Sequence, residues 1–451
     1  MRLIHTFFAV LFIGMGLGSA ILASDQIPAP PQTQPIALVG GTIHTVSGAT
    51  ISDGILLFEN GKITAIGQNV TLPDHTRKID IRGKHVFPGL ISANTVIGLT
   101  EINAVRATRD FAEVGQINPN VRAEVAINPD SEIIPVTRAN GITLALSVPI
   151  GGLIAGTSAL IMLDGWTWEE MTLKAPVGLH IRWPRMQIVE SRYYIRRRSP
   201  EAQKKEIEKS LKRIRQAFAD ARAYWKAKQA EAQKGIPYHA TDARWEAMIP
   251  VLKGEVPVFV HADDILQIQS AIEWATMENL RLVIVGGYDS WRIADVLREK
   301  NIPVIIGGVH RLPFRRWEAY DTPFTLAKKL YDAGVTFCIA TGGGPFGAAH
   351  ERNLPYHAAT AAAYGLPREE ALKAVTLYPA EILGVADRVG SLEVGKDATL
   401  IVTNGDPLEI TTQIEMAFIQ GRAIDLSSRH TQLYTKYKQK YIQKGLLPLE
   451  K

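Results

Sequence analysis

Val256-Pro257-Val258-Phe259-Val260-His261-Ala262-Asp263-Asp264 is a short apolar run that ends in a titratable cluster. A helical pattern follows over Asp264–Asn279, then a second apolar run, Arg281-Leu282-Val283-Ile284-Val285. The alternation continues with a helical stretch over Ser290–Lys300, Pro303-Val304-Ile305-Ile306-Gly307, another helical stretch over Phe324–Ala333, and Val335-Thr336-Phe337-Cys338-Ile339-Ala340. Apolar runs of this length, spaced by helices, predict strands of a parallel sheet buried on both faces. Upstream, Val86–Ile91, Ile142–Val148, Ser158–Leu163 and Val177–Ile181 read as four more. Eight such strands over residues 87–385 predict an α/β fold closed as a (β/α)8 TIM barrel, with Glu369–Leu383 as its closing helix.

Both ends of the chain have a different texture. Gly54 to Gly67 holds two β-like runs around Glu59-Asn60-Gly61-Lys62, and Asn-Gly between such runs signals a hairpin. Gly390 to Pro407 and Glu415 to Ile424 repeat that texture. The two segments are expected to build one composite β-sandwich domain, from residues 36–86 and 386–425, with 426–451 left as a C-terminal tail.

The chain has 451 residues, 46% of them hydrophobic and 21% charged, which excludes disorder as its main state. Its single cysteine, Cys338, excludes an internal disulfide and a cysteine-based zinc cage. The formal charge of +5 is unevenly placed: residues 185–235 hold 15 Lys/Arg and 6 Asp/Glu. A chain-wide nucleic-acid surface is disfavoured. This basic insertion reads as a long helix, with Ser199 as cap, Pro200 as first residue, and an apolar stripe of Ile207, Leu211, Ile214, Phe218, Ala221 and Trp225. Residues 1–23, with Arg2, the apolar run Phe7–Ile13 and small residues up to Ala20 or Ala23, read as a cleaved signal peptide, and 24–35 as a linker. Such a chain is expected in the periplasm or secreted, with no membrane span once mature.

Several stretches resemble the amidohydrolase superfamily, in particular its exported imidazolonepropionase-like branch: Gly61-Lys62-Ile63-Thr64-Ala65-Ile66-Gly67, Phe87-Pro88-Gly89-Leu90-Ile91, Leu377–Gly384 and Gly390–Ala398. The resemblance implies a metal-centred barrel, a composite β-sandwich and hydrolysis of carbon–nitrogen bonds other than peptide bonds in a small molecule. It also implies ligand positions. The His-x-His of the first barrel strand falls on Asn94 and Val96, its preceding aspartate on Ser92, and the fifth-strand histidine on His261. The sixth-strand histidine falls near Gly286 and the eighth-strand aspartate near Gly342. Of this set only His261 is a good ligand, since valine and glycine side chains offer no lone pair.

Two function classes therefore stand side by side. One is a hydrolase that uses zinc, another divalent ion or no metal, with His261 as essential residue and His310 and His180 as helpers at strand ends. The other is an inactive binding or accessory protein with the same barrel mouth as a ligand pocket. His350 follows the eighth strand and joins the histidines from which a new metal site could form. Each of these histidines has a structural alternative as a hydrogen-bonded loop contact. Gly342-Gly343-Gly344 reads either as an anion cradle or as a tight turn. Self-association is left open.

Overall fold

The computed structural model describes residues 26–188, 199–231 and 237–448. The expected signal peptide lies outside the described residues, as do 189–198 and 232–236 of the basic insertion.

The two chain ends meet in one eight-stranded sheet. The N-terminal segment supplies β1 (Ile36–Ile43), β2 (Ile51–Glu59), β3 (Lys62–Gly67), β4 (Arg77–Asp80) and β5 (His85–Pro88). Asn60 and Gly61 take positive φ, 51° and 77°, and close the β2–β3 hairpin as Asn-Gly turns do. The central strands of the molecule are β6 (Leu90–Thr95), β7 (Ile142–Ser147), β8 (Ile154–Thr157), β9 (Ala159–Met162), β10 (Thr172–Lys174), β11 (Leu179–Arg182), β12 (Val258–Ala262), β13 (Leu282–Gly286), β14 (Val304–Gly307) and β15 (Phe337–Ala340). The C-terminal segment returns β16 (Leu400–Thr403), β17 (Ile414–Ile419) and β18 (Arg422–Ala423). β16 lies antiparallel to β5, from Leu400 opposite Pro88 to Thr403 opposite His85. This sheet has its own apolar cluster, in which Phe58 and Phe418 meet edge to face at 5.1 Å.

The central strands form two sheets, β10-β9-β7-β6 and β15-β14-β13-β12-β11-β8. Within them β6 and β7 are parallel, as are β11 to β15 in succession. The third strand departs from the expectation. β8 and β9 are successive pieces of one extended run either side of Ser158, and both are antiparallel to their neighbours, β9 to β7 and β8 to β11. The cause is connection length. Ser147 of β7 already pairs with Ala159 of β9, so only residues 148–158 join the two, and a parallel return needs a crossover of about a dozen residues or more. Between β15 and β6 the ladder is indirect: Ile339 N–H donates to Ala374 O and Ile91 N–H to Val375 O, each at 2.9 Å.

The long helix Pro200–Glu231 forms as expected, but its buried face is shifted. Ile214, Ala217, Phe218, Ala221 and Tyr224 are buried, whereas Ile207, Leu211 and Trp225 are half-buried. Phe218 meets Trp274 of the helix Ile265–Met277 edge to face at 5.0 Å, which fixes the insertion against the barrel. Residues 426–451 are more than a tail: Arg429–Gln443 is helical, with a Ser428–Thr431 capping box.

Candidate functional site

β11 and β12 run parallel in register, Arg182 opposite His261, so His180, Arg182 and His261 share one face. His180 is buried and its Nδ1 lies 2.9 Å from His261 Nε2, within hydrogen-bond reach. Burial, then the Arg182 guanidinium, hold both rings in the neutral form; His180 is pushed down to about 3. One of the two facing nitrogens donates, and His180 Nε2 remains buried without a partner.

Two residues further along, Asp263 leans over Gly286. A Cβ on Gly286 would stand 2.1 Å from its Oδ1, so the glycine makes room for the carboxyl. Burial raises Asp263 to about 6, against the pull of Arg311, Arg185 and Arg182 and with the push of Asp264. Arg311 lies 3.6 Å above the Tyr288 ring and 4.6 Å from that of Phe314. Tyr288 donates its hydroxyl to Gly307 O at 2.6 Å. The loop carrying Arg311 is held by Arg315, whose Nη1 donates to Asp289 Oδ1 at 2.9 Å. Asp264 turns away to cap the next helix, accepting from Leu266 and Gln267 N–H at 3.0 and 3.1 Å. The Nε atoms of Arg182 and Arg311 are buried and have no hydrogen-bond partner.

On the far side of the mouth the central carboxyl is satisfied by its neighbours. Glu351 is fully buried, accepting from Ser92 Oγ at 2.6 Å and Thr341 Oγ1 at 2.7 Å. Burial raises it to about 7, and hydrogen bonds from Ser92, Thr341 and Thr95 oppose that rise. No local pattern in the sequence selects Glu351. It follows a glycine-rich turn with no apolar periodicity, and only its place between β15 and the next helix hinted at burial. Asn94 rests its amide on Gly343, where a Cβ would meet Nδ2 at 2.1 Å, and its Oδ1 is unpartnered. Gly343 has φ +64°, so the glycine triplet is a tight turn at its centre.

The remaining histidines sit elsewhere. His310 is exposed, with Nε2 2.7 Å from Thr360 Oγ1, and stacks on His357 at 4.1 Å. His357 accepts the Val309 N–H on Nδ1 at 3.1 Å and is pushed down to about 3, mainly by burial. His350 is exposed, its Nδ1 3.2 Å from Phe346 O. His180 and His261 are thus brought together, whereas His310 pairs with His357. Among the described residues no three His, Cys, Asp or Glu side chains gather as a cation site. The donor chemistry of the implied positions does not fit a metal of the superfamily's kind: Val96 is core, Gly286 and Gly342 have no side chain, and His261 is tied to His180. Cys338 is buried in β15, and burial pushes its thiol up, as expected of an inert core residue. A cavity of ≈ 500 Å³ lies at the opposite end of the strands, between Pro257, Leu282, Pro303 and Thr336.

Residues 321–424 match the amidohydrolase family. The structure superposes on an amidohydrolase from Thermotoga maritima with a TM-score of 0.76 and 28% identity, covering 86% of this chain and 99% of that one. The chain belongs to the amidohydrolase superfamily. Within the superfamily it is 22% identical over 402 residues to the amidohydrolase tasK of Hapsidospora irregularis, covering 82% of this chain and 40% of tasK. A shorter stretch of 93 residues is 36% identical to the imidazolonepropionase of Bacteroides thetaiotaomicron, 20% of this chain and 22% of that enzyme. The chain matches less than half the length of these curated relatives.

Proposed function

We propose that this chain is an exported hydrolase of carbon–nitrogen bonds other than peptide bonds, with a degenerate metal site. The substrate is a small molecule held over the strand ends between Asp263 and Arg182. The carrying observation is the seat of Asp263 on Gly286, facing Arg182 and Arg311, at the end of a barrel where such folds place their chemistry. In this reading the Asp263 carboxylate takes a proton from water as it attacks the carbonyl carbon. Arg182 or Arg311 faces the developing oxyanion, each with an Nε–H that has no partner in the folded chain. Asp263 then returns the proton to the departing nitrogen, and the bond to carbon breaks. His261, kept neutral by burial and by the Arg182 charge and hydrogen-bonded to His180, orients the substrate as a hydrogen-bonding group. His310 belongs to the rim. Similarity to imidazolonepropionase supports a carbon–nitrogen bond outside a peptide as the target.

The domain layout proposed with it keeps 36–86 and 386–425 as the composite β domain and 87–385 as the barrel. Export rests on Arg2, the Phe7–Ile13 run and the small residues up to Ala23.

The test combines elemental analysis with turnover of a panel of amides, cyclic amides and dipeptides. The expected result is no stoichiometric divalent metal and turnover of a non-peptide amide that survives a chelator. Asp263→Asn should slow it about 10²–10⁴-fold. Stoichiometric metal with chelator-sensitive turnover overturns the degenerate-site reading. Tight ligand binding without turnover assigns the chain to the binding class instead.

A further inference from the structure

The helix Arg429–Gln443 is built on the chain's surface and buries none of its residues. Its sequence places His430, Tyr434, Tyr437 and Tyr441 at +4, +3 and +4, which puts them on one stripe. Tyr434, Tyr437 and Tyr441 are 67%, 48% and 45% exposed. Arg429, Lys436, Lys438, Lys440 and Lys444 flank the stripe, and no acidic residue occurs from Arg429 to Pro448. Lys438 lies 5.7 Å from the Tyr434 ring and Lys440 5.5 Å from that of Tyr437, so the cations stand beside the rings. Just past the helix, Leu446 and Leu447 are exposed as well.

An isolated helix of this length is marginal in water, and little packing supports this one. Tyrosine rings with lysines along their edges match an environment that is apolar on one side, wet on the other and negatively charged. The foot of the helix is tied to the folded body. Gln26, where the described chain begins, donates through Nε2 to Ser427 O and lies 3.3 Å from Ser427 Oγ, next to the helix cap.

We infer that the helix Arg429–Gln443 lies flat on an anionic phospholipid surface, with Tyr434, Tyr437 and Tyr441 at headgroup depth and the lysines on the lipid phosphates. The attachment is peripheral: among the described residues no helix is long and apolar enough to cross a membrane.

Co-sedimentation of the full chain with phosphatidylcholine vesicles, with and without phosphatidylglycerol, tests this. The full chain should pellet with phosphatidylglycerol-containing vesicles far more than with pure phosphatidylcholine, and added salt should release it. Lys436→Gln and Lys440→Gln should each weaken partitioning about fivefold. The triple variant Tyr434→Ala, Tyr437→Ala and Tyr441→Ala should weaken it by more than about tenfold. All variants share the same N-terminus, so the differences between them report the helix alone. Their melting temperatures should match that of the unaltered chain, because none of these side chains is buried. Equal pelleting with both lipids, or tyrosine variants that bind as the unaltered chain does, overturns the inference. Retention of an acidic protein by a chain that ignores both vesicles also overturns it.

Discussion

The two sides of the barrel mouth handle buried polarity in opposite ways. On the β6–β15 side, Glu351 sits in full burial with Ser92, Thr95 and Thr341 around it. On the β11–β12 side, His180 Nε2, Arg182 Nε and Arg311 Nε are buried without partners, and Asp263 faces the guanidiniums over Gly286. A satisfied network rigidifies; an unsatisfied one costs free energy until something fills it. The first side is scaffold by this logic and the second is the place for a ligand.

The largest expected effect breaks or confirms that division directly. Asp263→Asn should lower turnover about 10²–10⁴-fold with an unchanged melt, while Glu351→Gln should leave turnover within a few-fold. Steady-state kinetics on both variants decides it, and equal losses would erase the distinction between the sides. Next in size is Glu351→Ala, which leaves the Ser92 and Thr341 hydroxyls without their acceptor in a buried hole. Denaturant unfolding should show a loss of about 3–5 kcal/mol.

The pH dependence of stability follows from the same carboxyl. Glu351 rises from 4.5 to about 7 on folding, so the folded state favours its protonated form. Its contribution is full below pH 4.5 and is lost as pH climbs towards 7, on the order of 3 kcal/mol. Glu351→Gln should flatten that part of the stability profile. A profile that stays sloped in the variant would move the titration to another group. The smallest effect is expected at Asn94, the one orphaned polar group named on the β6–β15 side. Its Oδ1 has no partner to lose, so Asn94→Ala should cost about 1 kcal/mol or less by thermal melts.

Legibility in the sequence followed the range of each signal. The eight apolar runs and the Asn60–Gly61 hairpin were readable because burial and turn chemistry act over a few residues. The reversed third strand was not readable from its own composition, since Ser158–Leu163 is equally apolar in either direction. The short connection over residues 148–158 held that information. Strand-end position gave His180 and His261, and the structure joins them. Asp263 was visible only as the neighbour of His261, because its role depends on a vacancy at Gly286, a strand away. Glu351 was illegible for the same reason at longer range: its partners Ser92 and Thr341 come from opposite ends of the barrel sequence. The Arg429–Gln443 helix lacked an aliphatic stripe, and only the Tyr434, Tyr437 and Tyr441 spacing marked it.

The pairing of β5 with β16 has a consequence for the order of synthesis. As the chain grows from its N-terminus, β5 can pair with β1, but its other edge has no permanent neighbour until Leu400 to Thr403 has left the ribosome. An open strand edge held that long invites pairing with other chains. It also makes the native contact non-local, so the final sheet forms late and slowly. A nascent chain of this design stays unfinished through almost its whole translation. A holdase chaperone or a secretion channel would therefore have a long interval in which to engage it.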